Sequence, residues 1–226
     1  MKLENHIITY HSTAIEGCLL TADEIRLFLN KGVLPAGKSI IDVMMVKDHD
    51  AALTYTLETA VKRNPITVEL IKHINALIMK NTGSIYNTPL GQVDASNGEF
   101  RKGNVSAGGT YFPGYDKVEK LTKEFVRSLQ EKMLLLNPNN IEDQLNLSFA
   151  AHYNLVSIHP FYDGNGRTSR LIMNYIQAYY GLPLGTVFIE DKEEYFNALQ
   201  KSNLEDNINW IRTFMLKQYN KAQLLT

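Results

Sequence analysis

The sequence predicts a mainly α-helical fold with one short β-hairpin, and three observations carry that prediction. Apolar residues recur at helical spacing through most of the chain, helix-capping signals divide it into segments with short connections, and one long stretch, 82–113, lacks the helical period. The 226 residues suffice for a sizeable core, and without repeats, low-complexity tracts or a composition break they read as a single domain over 1–226.

Thr21 with Glu24 three residues on forms a capping box for a helix over 22–31, which Gly32 closes. Ser39 caps a long helix over 40–63 that must stop near Pro65. Thr67 starts a further helix to about 81, with Gly83 after it. The stretch 82–113 is rich in Gly, Asn, Ser and Thr, and inside it residues 104–112 read as two extended arms about a Gly108-Gly109 turn. So long a non-helical insert in a helical domain is usually functional or mobile. A helix over 117–136 follows, with Glu119 at capping-box distance from Asp116 and Pro138 just past its end. Asn140 with Asp143 opens a helix that must end by Ile158, because Pro160 pushes His159 out of the helical region. Residues 171–180 are apolar at helical spacing and end at Gly181, with Pro183 beyond. Asp191 and Glu194 introduce a helix to about 202, and 207–225 forms the last, carrying Trp210, Ile211, Phe214 and Leu216 toward the core.

The composition, 44% hydrophobic and 21% charged, is that of a soluble globular protein, and a net charge of −1 exerts no long-range pull on nucleic acid or an anionic membrane. Neither class of partner is expected, so any phosphate binding must be local. Residues 1–24 lack an apolar run of signal-peptide length and no segment approaches the roughly 18 residues of a membrane span, which makes the cytoplasm the expected location. The single cysteine, Cys18, excludes an internal disulfide and reads as a small core filler beside Leu19 and Leu20.

The most informative run is His159-Pro160-Phe161-Tyr162-Asp163-Gly164-Asn165-Gly166-Arg167-Thr168-Ser169-Arg170. Its glycines allow positive φ, so backbone N–H groups can converge into an anion nest at the N-terminus of the following helix. Arg167 and Arg170 are i,i+3 and can project over one face, with forks suited to phosphate. Asp163 can hold Mg²⁺ bridging phosphate oxygens. His159, with a reference pKa of about 6.5, suits proton removal from a hydroxyl. Phe161 anchors the loop in the core. The remaining histidines, His6, His11, His49, His73 and His152, form no metal-ligand spacing, and His152, seven residues before His159, reads as a partly buried helix residue.

This run resembles the Fic-domain signature, His-x-Phe-x-Asp/Glu-Gly-Asn-Gly-Arg-x-x-Arg, at every specified position. Gly98-Glu99-Phe100-Arg101 followed by Val105 resembles the family's lead into a flap hairpin, and Glu194 to Leu199 with Asn203 resembles its downstream nucleotide-contact segment. The resemblance implies a Fic-type helical bundle with a core over about 40–220 and AMP transfer from ATP to a Ser, Thr or Tyr hydroxyl of a target protein or of the chain itself. It implies His159 as general base, Asp163 positioning Mg²⁺, Gly164, Asn165 and Gly166 on the α-phosphate, and Arg167 and Arg170 on the outer phosphates, with Thr168 and Ser169 inside the same loop. Tyr195, Phe196 and Asn203 fall at nucleotide contacts, and Ala107, Gly108, Gly109 and Thr110 form the flap that pairs with the target's backbone. The paired glycines and a lone following Pro113 depart from many relatives, which leaves the target preference open.

Ser12-Thr13-Ala14-Ile15-Glu16-Gly17 resembles the family's inhibitory pattern, Ser/Thr-x-x-x-Glu-Gly/Asn. Ser12 and Glu16 are i,i+4 on one face of a helix, about 4–17, that Gly17 would end. Glu16 facing Arg170 would occupy the arginine needed by the γ-phosphate and leave ATP misaligned for in-line attack. Three rival readings stand beside AMP transfer: a Fic-fold kinase moving the γ-phosphate, removal of AMP from a modified target, and a non-catalytic ATP sensor. A homo-oligomer is compatible with all of them.

Overall fold

The helix that follows the Gly-Asn-Gly turn is buried at every position from Arg167 to Gln177, and the other helices assemble around it. The structure, a computed structural model, describes residues 5–137 and 139–224. In chain order the elements are α1 (Asn5–Ile15), α2 (Ala22–Lys31), α3 (Ile40–Val61), α4 (Val68–Met79), β1 (Ile85–Thr88), β2 (Gly91–Asp94), β3 (Ser106–Ala107), β4 (Thr110–Tyr111), α5 (Tyr115–Leu135), α6 (Ile141–Ile158), α7 (Asn165–Tyr179), α8 (Lys192–Leu204) and α9 (Asn209–Leu224). Short 3₁₀ turns lie at Ala95–Asn97 and Ile189–Asp191. The mainly α class is as the sequence predicts. Glu4, Pro138 and Leu225, to which the expected element ends reach, lie outside the described residues.

Local chemistry sets most helix starts. The Thr21–Glu24 capping box is formed in both directions, and Ser39, Thr67 and Asn140 each accept a backbone N–H of the first turn. Two expected caps are absent. Helix α5 starts at Tyr115 behind Gly114, which puts Asp116 inside the first turn, and Glu119 pairs with Lys123 at 2.6 Å instead of reaching back. Asp191 accepts from Gln218 and Lys221 of α9, at 2.9 and 2.6 Å, so a tertiary contact takes the carboxylate that would have capped α8.

The expected flap is present, with Ser106 opposite Tyr111 and Ala107 opposite Thr110. A second hairpin, β1 with β2, was not legible in the sequence: of its eight residues only Val93 is buried, so no period-2 hydrophobic pattern marks it. It is tied to the central run by Tyr86, whose ring stacks on Tyr162 at 4.2 Å.

The main core lies between α3, α4, α5, α6 and α7, and a second cluster joins α6 and α7 to α8 and α9. Helix α1 touches three clusters: Ile8 enters the first, Ile15 the second, and Cys18 just past its end the third, with Leu20, Ile25, Val43 and Val46. Buried polar groups of α7 are matched, Asn174 donating to the Gly185 carbonyl and Gln177 accepting from the Gly185 N–H, both at 2.8 Å. On α9, Ile211 and Phe214 face inward as expected, but Trp210 and Leu216 are 42% and 46% exposed. The buried stripe is Ile211, Phe214, Met215, Gln218 and Tyr219, and positions 210 and 216 sit about 100° off it. Trp210 instead donates to Glu205 at 2.7 Å under the Lys201 ammonium.

Candidate active site

His159 caps the C-terminus of α6 with φ 52° and ψ 60°, since Pro160 forbids another helical turn. This left-handed backbone swings the imidazole out of the helix. Its Nδ1 meets the Val156 carbonyl at 3.3 Å, an acceptor that assigns the proton to Nδ1 and leaves the Nε2 lone pair free. The ring stacks on Phe112, 3.8 Å between centroids at 15°. Burial, opposed by the Val156 hydrogen bond and assisted by the Arg101 charge, brings the His159 pKa down to about 4, so at neutral pH the ring is an uncharged acceptor.

Beyond it, Phe161 is buried in the core and Asn165 clasps its backbone, accepting from the Phe161 N–H and donating to the Phe161 carbonyl, both at 2.9 Å. The Asn165 side chain is therefore spent on closing the loop, and only its backbone can face a phosphate. Gly164 has φ 77°, and a Cβ there would stand 2.7 Å from Asn75 Nδ2 and 3.0 Å from Met79 Sδ. Asn75 Nδ2 donates to the Asp163 carbonyl and to Thr168 Oγ1, both at 3.1 Å. Thr168 thus points into the core, and Ser169 Oγ donates to the Gly166 carbonyl. Neither side chain borders the cleft. Helix α7 begins at Asn165 behind Gly164, so the unpaired N–H groups of its first turn and its partial positive charge sit at this loop.

Arg167 is buried, with one amino group between Asp163 Oδ1 at 3.2 Å and Met79 Sδ at 3.5 Å, while its Nε and other amino group have no hydrogen-bond partner. Unpaired buried guanidinium donors beside a helix N-terminus are chemistry that an anion would complete. Asp163 is 51% exposed with Oδ1 fixed by Arg167 and the Gly164 N–H. Among the described residues no three His, Cys, Asp or Glu stand together as a metal site. One half-exposed carboxylate nevertheless fits Mg²⁺, which takes one or two carboxylates and completes its shell with phosphates and water.

Arg170 is buried and fully engaged. Its Nε donates to Ser12 Oγ at 2.9 Å, and one amino group donates to the Ser12 carbonyl at 2.9 Å and to Glu16 Oε1 at 2.7 Å. The Ser12 carbonyl is available because α1 ends in a Schellman motif: Cys18 N–H bonds the Thr13 carbonyl, Gly17 N–H the Ala14 carbonyl, and Gly17 takes φ 100°. Glu16 itself borders the cleft with its side chain 29% exposed. Burial works to raise its carboxyl, but the Arg170 and Arg167 charges and the Arg170 hydrogen bond outweigh it and hold it below the usual carboxylate range. Its Oε1 would be 2.7 Å from a Cβ on Gly166, so the carboxylate lies against the first turn of α7 itself.

His159, Gly166, Arg170 and Glu16 open on one cleft of about 940 Å³, a size that suits a nucleotide, whereas Asp163, Gly164, Asn165 and Arg167 are not among the residues that line it. Ala107, Gly108 and Thr110 of the flap border it, whereas Gly109 at the turn does not. On the opposite side stand Phe196 and Asn203 of α8, and the floor carries His159, Gly166 and Arg170. Tyr195 also borders the floor, but its hydroxyl is committed to His152 Nε2 at 2.9 Å and to the Arg170 guanidinium. The hydroxyl is thus occupied within the protein, while the residue still lines the cleft. His152, expected to be partly buried, is wholly so, and burial takes its pKa down to about 3. Asn75 and His152 are supporting residues that the sequence reading did not assign. Asn75 carried one signal, a lone amide in the apolar stretch Ile71 to Met79.

The family model described as Fic/DOC family matches residues 65–177. "Protein adenylyltransferase Fic" of Drosophila erecta is 33% identical over 90% of this chain, and the chain spans 38% of that protein's own length. Among solved structures, Fic-1 of C. elegans superposes with a TM-score of 0.78 at 27% identity, over 96% of this chain and 62% of that one. A Fic-domain signaling protein of Bacteroides thetaiotaomicron gives a TM-score of 0.82 at 24% identity, over 98% of this chain and 84% of that one, and shares the fold.

Proposed function

Because the chain belongs to the Fic/DOC family, we propose that it is a protein adenylyltransferase, moving AMP from ATP to a hydroxyl of a target protein or of itself and held in check by Glu16. One observation carries the reading: an uncharged His159, Gly166 in the first turn of α7, and Arg170 meet at the floor of a single nucleotide-sized cleft. A binding module would have no use for the free Nε2 beside a phosphate site.

The reaction follows from the groups. His159 Nε2 takes the proton of the target hydroxyl while that oxygen forms a bond to the α-phosphorus, and the bond from phosphorus to the pyrophosphate oxygen breaks. The first-turn N–H groups of α7 hold the α-phosphate and spread its growing charge. Arg167, with two free donors, takes an outer phosphate, and Arg170 takes the γ-phosphate once Glu16 leaves it. Asp163 would hold Mg²⁺, which supplies charge neutralisation on the phosphate oxygens. The flap lends Ala107 and Thr110 as an edge for the target's backbone.

Inhibition has two components in this geometry. Glu16 consumes Arg170, and its carboxylate occupies the positive end of α7 against Gly166, where a phosphate would lie. ATP labelled at the α-phosphate tests the reading. A Glu16→Gly variant is expected to label protein with AMP, and adding His159→Ala is expected to cut the rate by about 10²–10⁴. Label entering only from γ-labelled ATP would replace this reading with a kinase.

A further inference from the structure

Arg101 is the largest of the fully buried side chains, 2% exposed, and no carboxylate pairs with it among the described residues. A buried guanidinium needs its donors satisfied. Arg101 satisfies them with carbonyls from three separate stretches: Nε donates to His159 at 2.7 Å, one amino group to Gly103 at 2.9 Å, and the other to Pro113 at 2.5 Å. Its own backbone N–H donates to the Pro160 carbonyl at 3.0 Å. Gly103 precedes β3 and Pro113 follows β4, so two of the carbonyls are the two ends of the flap, and the third belongs to the residue carrying the imidazole.

We propose that Arg101 is a positioning residue for the transfer, one buried guanidinium that locks the His159 backbone and both ends of the flap into a single piece. The proposal rests on the reading of His159 as general base. His159 holds a left-handed backbone just before a proline, a conformation that persists only when its surroundings impose it. Arg101 imposes it from two sides, through the His159 carbonyl and the Pro160 carbonyl. Phe112, next to Pro113, then fixes the face of the ring that Arg101 has aimed. The hydroxyl delivered along the flap and the base that receives its proton are thereby set at one distance from each other. Arginine is required because its rigid fork reaches three diverging carbonyls at once, whereas a lysine ammonium is a point donor. The same charge also acts on the ring: Arg101 opposes protonation of His159, while the Glu16 and Asp163 carboxylates favour it.

The test uses the Glu16→Gly protein as parent and adds Arg101→Gln or Arg101→Lys. ATP affinity is read by calorimetry, self-labelling rate from α-labelled ATP, and the His159 titration by NMR of labelled imidazole in nucleotide-free protein. Arg101 borders no part of the nucleotide cleft, so ATP affinity is expected within about twofold of the parent, while the rate falls about 10–100-fold in Arg101→Gln. The His159 midpoint is expected to rise above the parent's in Arg101→Gln while burial still holds it below the usual histidine range, and to stay near the parent's in Arg101→Lys, which keeps the charge. Parental rates in both variants, a rate loss matched by lost ATP affinity, or an unmoved midpoint in Arg101→Gln would each overturn the proposal. Should Arg101→Gln not fold, Arg101→Lys decides alone: a slower rate at unchanged ATP affinity supports the role and a parental rate refutes it. A parent that transfers no AMP defeats the functional reading, and the imidazole titration then still judges Arg101.

Discussion

Removing the Glu16 carboxylate should make the protein more active and less stable at once, and both magnitudes follow from its position. A unit charge about 4 Å from a phosphate oxygen at an effective dielectric of 20 costs bound ATP about 4 kcal/mol, and withholding the Arg170 hydrogen bond costs about 1.5–3 kcal/mol more. Their sum, about 5.5–7 kcal/mol, sets an upper bound of roughly 10⁵ in rate at about 1.4 kcal/mol per tenfold. Glu16 is 29% exposed at the cleft, so water screens part of the repulsion, and a gain of about 10²–10³ in Glu16→Gly is expected. The same change leaves Arg170 buried with Ser12 and Tyr195 as partners and without its counter-charge. A loss of about 1.5–3 kcal/mol would lower Tm by roughly 3–10 °C in a chain of this size. Rates of α-labelled AMP transfer and thermal melts with and without ATP measure the two effects, ATP restoring part of the Tm by supplying Arg170 with phosphate. A variant that melts lower but transfers no faster would refute the inhibitory assignment while leaving the ion pair intact as a structural contact.

The buried histidines set the response to pH. His11 and His159 lie at about 4 and His49 and His152 at about 3, each brought down chiefly by burial, all below the unfolded 6.5. The unfolded chain therefore takes up protons first as pH falls, and stability is expected to drop from pH 6.5 downward by up to about 1.4 kcal/mol per unit for each histidine, which urea melts at pH 7.5, 5.5 and 4.5 will measure. Gly164→Ala is expected to lose about 1–3 kcal/mol and to weaken ATP binding by calorimetry, because its Cβ would stand 2.7 Å from Asn75 at a left-handed backbone. On α9, Ile211→Ala should cost about 2–5 kcal/mol in denaturant melts and Trp210→Ala less than about 1 kcal/mol, the reverse of what side-chain size alone suggests.

What could be read from the chain was whatever short-range chemistry settles. The Thr21–Glu24 box, the caps at Ser39, Thr67 and Asn140, the halt of α6 before Pro160 and the Gly108-Gly109 hairpin all depend on residues within a few positions of one another. The signature run behaves likewise, since Gly164, Asn165 and the start of α7 build the anion turn from adjacent residues. The functional family was therefore written in twelve consecutive positions. Where the reading failed, the local pattern did not decide: Asp191 went to Lys221 thirty positions on instead of its own helix, the rotation of α9 left Trp210 at the surface, and the β1–β2 hairpin formed with one buried side chain and so no alternating pattern. Thr168, Ser169 and the hydroxyl of Tyr195 fall within the motifs yet turn away from the cleft, because helix rotation and burial allot each side chain to one face only. Only the folded chain could bring Glu16 across 154 positions to Arg170, seat its carboxylate against Gly166, and converge His159, Gly103 and Pro113 on Arg101. Motifs specify which chemical groups exist, and packing decides which of them meet.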